Sequence, residues 1–198
     1  MKIILASTSV YRAALLHKLS VPFTCQAPHV DESAVDGESI HQQVKRLAEL
    51  KAQAVALSLT EGYVIGSDQL ASYGNLILGK PGNYQNAFSQ LSQLSGQSIV
   101  FYTGLCLINA ANGQQQSMVE CFEVEFKQLS NKQIQRYLEL EQPFDCAGSF
   151  KCEGLGIALF KRLNGRDPNT LVGLPLIALT ELFANWQIDL FDYMQNNT

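Results

Sequence analysis

The sequence predicts an α/β fold, and three observations carry the prediction. Ile3-Ile-Leu-Ala6 is an apolar run long enough only for a strand, and it leads directly into helically spaced Tyr11, Ala14, Leu15 and Leu19. Ser39 to Ser58 carries an apolar stripe of Ile40, Val44, Leu47 and Ala54, with Lys45 and Glu49 well away from it. Tyr63-Val-Ile-Gly-Ser-Asp-Gln69 then reads as a further strand. At 198 residues the chain is most simply one domain, or one domain of two lobes.

The polar triplet Ser7-Thr8-Ser9 joins the first strand to the first helix. Such a turn offers backbone N–H groups that, with the hydroxyls and the helix dipole, suit an anion such as phosphate. The competing reading is an ordinary serine N-cap beside a solvated Arg12. Val21 to Ala27 reads as a short strand, and Pro28-His-Val-Asp-Glu32 leaves it as a loop. Adjacent carboxylates there are either solvated or hold a divalent cation, which prefers oxygen ligands. Lys51 falls inside the apolar stripe of the Ser39–Ser58 helix, so it either snorkels or has an anionic partner. Asp68 stands near the carboxyl end of its predicted strand, where open α/β sheets place ligands. Gly66, two residues earlier, permits the close approach of another backbone or of a ligand.

Ala71 to Leu78 reads as a hairpin around Tyr73-Gly-Asn75, and Gly79-Lys80-Pro81 turns the chain, with Lys80 held extended by the following proline. A helix is predicted over Asn83 to Leu94, ended by Ser95-Gly96. Gln97 to Ile108 and Ser117 to Phe126 form a second hairpin around Asn112-Gly113. Ser130-Asn-Lys-Gln133 is a capping box that opens a helix through Ile134, Tyr137 and Leu138. Cys146 to Gly156, which contains Glu153, fits neither period and reads as a glycine-shaped loop. A strand over Ile157 to Leu163, a loop over Asn164 to Asn169 and a last helix with Pro175 near its start follow. The tail after Asp192 is expected to be loose.

A net charge of −4 and a pI near 5.3 argue against binding nucleic-acid polymers. No run of about 20 apolar residues suggests a membrane span, and Ile3 to Ala6 is shorter than the roughly 7–15 residues of a signal-peptide core. A cytoplasmic location is expected. The five cysteines are odd in number and contain no Cys-x-x-Cys, so they suggest neither a disulfide framework nor a zinc site.

Taken together and in order, Leu5-Ala-Ser-Thr-Ser9 with Arg12, Asp31-Glu32, Lys51, Gly66-Ser-Asp-Gln69, Gly79-Lys-Pro81, Ala147-Gly-Ser149 and Val172-Gly-Leu-Pro175 resemble the Maf family of nucleoside triphosphate pyrophosphatases. The resemblance implies an elongated, mixed and curved β-sheet with flanking helices, two lobes around a cleft, as in inosine triphosphatase-like proteins. It implies hydrolysis of a nucleoside triphosphate between the α and β phosphates, with a divalent metal such as Mg²⁺, Mn²⁺ or Co²⁺. By resemblance Asp68 is the general base, and Ser7, Arg12, Glu32, Lys51 and Lys80 line the phosphate and metal site. Glu32 and Asp68 are the metal ligands it suggests. The implied partner is a nucleotide, and a homodimer is an open option.

Within the family, the dTTP and UTP branch resembles Ser-Pro-Arg-Arg, Ala-Asp-Thr and Ile-Gln-Gly at three variable places. This chain has Val10-Tyr-Arg12, Ser67-Asp-Gln69 and Cys152-Glu-Gly154, and so resembles the 7-methyl-GTP branch, as does Arg166-Asp-Pro-Asn-Thr170. Tyr11, Gln69 and Glu153 are therefore the expected specificity positions. A carboxylate at Glu153 can accept both the N1–H and N2–H of guanine, and a cationic 7-methyl base strengthens that bond and stacks on an aromatic ring such as Tyr11. Pyrimidine triphosphate hydrolysis, or a non-catalytic nucleotide-binding regulator of cell division, are the alternatives.

Overall fold

The computed structural model describes residues 1–74 and 76–195. Among them are seven strands of one mixed sheet: β1 (Ile3–Leu5), β2 (Phe23–Cys25), β3 (Tyr63–Tyr73), β4 (Leu76–Leu78), β5 (Ser98–Asn109), β6 (Gln115–Phe126) and β7 (Phe160–Asn164). The strand order is β2-β1-β3-β5-β6-β7, with β4 paired to β3. β1 pairs in parallel with both β2 and β3, whereas β3–β4 and β6–β7 are antiparallel. The helices are α1 (Val10–His17), α2 (Ile40–Ala56), α3 (Tyr84–Leu94), α4 (Asn131–Glu141), α5 (Asn169–Val172) and α6 (Leu176–Asn185). The predicted α/β class and the mixed sheet are therefore present.

The chain divides into two compact units. The first comprises Met1–Gln69, Tyr102–Glu120 and the chain from Asp167 onward. Its core gathers Leu5, Leu15, Leu16, Ile65, Leu105, Leu174, Leu179 and Phe183. The inner face predicted for the last helix, Leu176, Leu179, Leu182 and Phe183, is the buried one. A second cluster, Ala48, Ala52, Val55, Val64 and Cys106, seats α2.

Two glycines decide how closely α2 lies on its strands. A methyl group built on Gly66 would stand 2.2 Å from Ala48 O, and one on Gly104 would stand 2.1 Å from Val44 O. Gly66 thus has the role its sequence context suggested. Gly66→Val would push the helix off β3, at a cost of about 1–3 kcal/mol. The expected result is a lower urea midpoint, and an unchanged midpoint would mean that this contact does not set the packing.

The second unit comprises Leu70–Phe101 and Cys121–Arg166. Its centre is aromatic: Phe150 meets Phe101, Phe126 and Phe160 edge-on, with ring centroids 5.6, 5.5 and 4.9 Å apart. Each such pair adds about 0.5–1.5 kcal/mol beyond its area burial. The capping box at Ser130 and Gln133 opens α4 as predicted.

Several boundaries differ from the sequence reading. The strand predicted over Val21–Ala27 shortens to Phe23–Cys25, the stretch with a partner in β1. The predicted Tyr63–Gln69 strand and the arm of the Ala71–Leu78 hairpin are one strand, because β4 pairs with Ala71–Tyr73 and extends β3. Asn75, at the tip of that hairpin, lies outside the described residues. The strand predicted over Ile157–Leu163 starts only at Phe160, because Leu155–Leu159 coils into a 3-10 turn. Gly156 makes the coil possible: its N–H donates to Lys151 O at 3.0 Å, and a methyl there would stand 2.3 Å from that oxygen. The predicted Asn164–Asn169 loop ends in the short α5, which four residues are too few to reveal by periodicity. The tail after Asp192 is held at first: Leu190–Tyr193 is a 3-10 turn and Gln195 N donates to Ser20 O at 2.8 Å. Its last residues, 196–198, lie outside the described ones. No helix among the described residues is long and apolar enough to cross a membrane.

Candidate active site

In the first unit α2 and β3 bring their charged side chains together. Successive residues of a strand point to opposite faces, so Gly66 and Asp68 share one. Gly66 admits α2 on that face, and Asp68 then meets the residue beside Ala52, which is Lys51. Lys51 Nζ donates to Asp68 Oδ1 at 2.6 Å and to Glu32 Oε2 at 2.8 Å. Lys51 and Asp68 are both buried, whereas the Glu32 side chain is 56% exposed. Of the two alternatives for a lysine in an apolar stripe, the anionic partner is the one realised. Asp68 is not at the end of its strand, since β3 continues to Tyr73. It lies instead beyond the end of the neighbouring strand, because the last β1-side bond to β3 is Ala6 N to Ile65 O, at 2.8 Å.

The turn before α1 shows the capping reading. Ser7 Oγ accepts from Ser9 N at 3.1 Å, and Ser9, the N-cap, accepts from Arg12 N at 3.4 Å. Arg12 is not solvated as that reading supposed. It is half-buried, and its Nε donates to Gly173 O at 3.0 Å. Burial lowers its pKa from the ordinary arginine value, and the negative charges of Asp68 and Glu32 oppose that shift. A guanidinium held this way remains a cation. Tyr11 lies half-buried in the same helical turn.

The carbonyl that receives Arg12 had no signal of its own in the sequence. Gly173 ends α5 in the left-handed region, with φ 108°, and its oxygen also accepts from Ser67 Oγ at 2.9 Å. Ser67 shares its hydroxyl hydrogen between Gly173 O and Gly104 O, also at 2.9 Å. Asp167, fully buried, holds the same segment: Oδ1 accepts from Asn169 N at 2.8 Å, and Oδ2 accepts from Ile177 N at 2.8 Å. Gln69 reaches across to Thr103 and Thr170 O. Val172-Gly-Leu-Pro175 was recognisable as a motif, but its action through a main-chain oxygen was not.

Lys80 and Glu153 belong to the second unit. Both are exposed. The backbone on either side of Lys80 is tied to α3: Gln90 Nε2 donates to Gly79 O at 3.3 Å and Asn86 Nδ2 to Pro81 O at 3.0 Å. The Glu153 loop is braced by α4, where Tyr137 Oη accepts from Lys151 N at 3.1 Å and Glu141 Oε2 accepts from Leu155 N at 2.6 Å. Neither brace was read from the sequence, where Tyr137 counted only as an apolar position.

Burial, with the charges of nearby carboxylates, pushes the thiols of Cys106, Cys146 and Cys152 up to about 12. At neutral pH these are thiols, and the thiolate is the nucleophile. Among the described residues no group of three or more His, Cys, Asp or Glu side chains stands ready to hold a metal alone. Glu32 and Asp68 supply the carboxylate oxygens that a hard divalent cation prefers. Lys51 engages only one oxygen of each, and Mg²⁺ is commonly held by one or two carboxylates with phosphate oxygens and water completing its shell. Maf pyrophosphatases generally depend on a divalent metal.

Comparison with known proteins identifies the family. A 7-methyl-GTP pyrophosphatase of Pseudoalteromonas atlantica is 56% identical over 195 residues, covering 98% of this chain and all of that protein. A 7-methyl-GTP pyrophosphatase of Vibrio vulnificus is 54% identical over 183 residues, 92% of this chain and 94% of its own. Among solved structures, the Ham1 protein of Staphylococcus aureus shares the fold, with a TM-score of 0.50 at 14% identity over 95% of this chain and all of the other. The model of Maf-like proteins matches residues 2–186, and with relatives this similar along almost their whole length the chain belongs to the Maf family.

Proposed function

We propose that the protein hydrolyses 7-methyl-GTP between its α and β phosphates, giving 7-methyl-GMP and pyrophosphate, in the cytoplasm where nucleotide pools turn over. The observation that carries the chemistry is the convergence of Asp68 and Glu32 on Lys51, with Arg12 in the electrostatic reach of both carboxylates. The names of the relatives support the choice of nucleotide.

Phosphoryl transfer asks for positioning and charge stabilisation rather than a covalent intermediate. A triphosphate brings about four negative charges. Arg12, Lys51 and Lys80 are the cations that would meet them, and the Ser7 hydroxyl lies in the turn that leads to Arg12. Asp68 deprotonates or orients the attacking water. Lys51 aims Asp68 through its 2.6 Å bond and can turn its ammonium towards a phosphate oxygen. Glu32 and Asp68 would hold the divalent cation. When bound, that ion polarises phosphate oxygens and offsets their charge. Glu153, Gln69 and Tyr11 read the base, as a carboxylate, a carboxamide and an aromatic ring.

The test is pyrophosphate release across a panel of 7-methyl-GTP, GTP, UTP and dTTP with Mg²⁺, Mn²⁺ or Co²⁺. Fastest release from 7-methyl-GTP is expected. Release from none of them would favour a nucleotide-binding regulator, and a pyrimidine optimum would move the chain to the other branch. In the same assay Glu153→Gln is expected to lower the preference for 7-methyl-GTP over UTP by roughly tenfold, the loss of one charge-assisted bond. An unchanged ratio would remove Glu153 from base reading.

A further inference from the structure

We propose that Thr103 is a positioning residue for base selection, because it locks the carboxamide of Gln69 with its oxygen as the only free end. The inference rests on the pyrophosphatase reading above. Gln69 Nε2 lies 2.6 Å from Thr170 O and 2.9 Å from Thr103 Oγ1. A backbone carbonyl can only accept, so the Gln69 atom facing Thr170 O is the amide nitrogen. Thr103 Oγ1 stands 3.0 Å from the same carbonyl and donates to it, which leaves its lone pairs for Gln69. Each of the three groups fixes the sense of the other two. Thr103 is fully buried, so water does not compete for these bonds.

Both hydrogens of the Gln69 amide are then engaged inside the protein. What remains is Oε1, an acceptor. Gly173 shows where it faces: a methyl group built there would lie 3.6 Å from Gln69 Oε1, 3.4 Å from Arg12 Nε and 3.8 Å from Arg12 Nη2. The locked acceptor and the guanidinium thus flank the same point, which the glycine leaves free of side chain.

A freely turning glutamine offers either its oxygen or its nitrogen and suits any base. A locked one takes only a donor. The exocyclic amine of guanine and 7-methylguanine is such a donor. Uracil and thymine present carbonyl oxygens on both sides of a single N–H, and a fixed acceptor repels an oxygen. Sites built around one fixed hydrogen-bond sense reject the wrong partner far more strongly than shape alone does. On this account Thr103 contributes to selectivity without touching the nucleotide.

The experiment compares kcat/KM for 7-methyl-GTP and UTP in the wild type, Thr103→Val and Thr103→Ser. Valine keeps the shape of threonine but removes the hydroxyl, so the Gln69 amide keeps Thr170 O as its one anchor instead of two and is held less firmly. The 7-methyl-GTP to UTP ratio is expected to fall about tenfold in Thr103→Val. It should stay within about twofold of the wild type in Thr103→Ser, which keeps the oxygen. A purely structural role would lower both substrates together and leave the ratio in place. A wild-type ratio in folded Thr103→Val overturns the role of Thr103 and leaves the pyrophosphatase reading standing. Wild-type protein that releases pyrophosphate from neither nucleotide overturns both. If Thr103→Val does not fold, Thr103→Ala carries the same comparison, with the same ratio deciding.

Discussion

Asp68→Asn is expected to fold normally and to release pyrophosphate from 7-methyl-GTP about 10²–10⁴-fold more slowly, the range over which a positioned general base contributes. The two side chains have nearly the same shape, and the asparagine oxygen can still accept from Lys51 Nζ, which now lies 2.6 Å from Asp68 Oδ1. Packing around β3 therefore changes little. What disappears is the negative charge that, in the proposed mechanism, would take a proton from water and help hold a divalent ion. A continuous pyrophosphate assay gives the rate, and circular dichroism with a thermal melt gives the fold. Turnover near the wild-type value in a folded variant would strip Asp68 of its role as base.

Lys51→Met should damage both stability and turnover. The substitution keeps most of the side-chain volume and fits an apolar helix face, so any loss comes from charge. It leaves the Asp68 carboxylate buried at 8% exposure with its ammonium gone. Removing one partner of a buried ion pair costs about 3–5 kcal/mol. For a chain of this size that lowers the melting temperature by roughly 6–20 °C. The double variant Lys51→Met/Asp68→Asn should recover a good part of the lost stability while remaining inactive, because no charge is then stranded. Strict additivity of the two single losses in a melting series would show that Lys51 and Asp68 are not energetically coupled.

Lys51 illustrates what was legible in the sequence and what was not. A lysine inside an apolar stripe contradicts its surroundings, and only a buried anion or an escape to solvent resolves the contradiction. That much periodicity could reveal. The identity of the anion depends on which strand α2 lies against and how closely. Gly66 and Gly104 settle that distance through contacts with main-chain oxygens, and a sequence shows the glycines without their opposite numbers. The same holds for Arg12. Its place in the first helical turn could be read, but its acceptor is a carbonyl 161 residues away, and carbonyls carry no letter of their own. Thr103 is silent for a like reason, since a buried threonine in a strand looks like packing. The end of the 3-10 turn, residues 157–159, reads as strand in the sequence because its apolar residues satisfy either structure over so short a stretch.

The way the first unit is assembled from separated segments constrains how the protein can be made. Residues up to Gln69 carry Ser7, Arg12, Glu32, Lys51 and Asp68, yet Leu174, Leu179 and Phe183 must pack beneath them and Gly173 must receive Arg12. A nascent chain emerging from the ribosome therefore holds these acidic and basic side chains long before it can organise them. Hydrolytic competence waits for the segment that begins at Asp167, so a chain cut before residue 167 yields no partial enzyme.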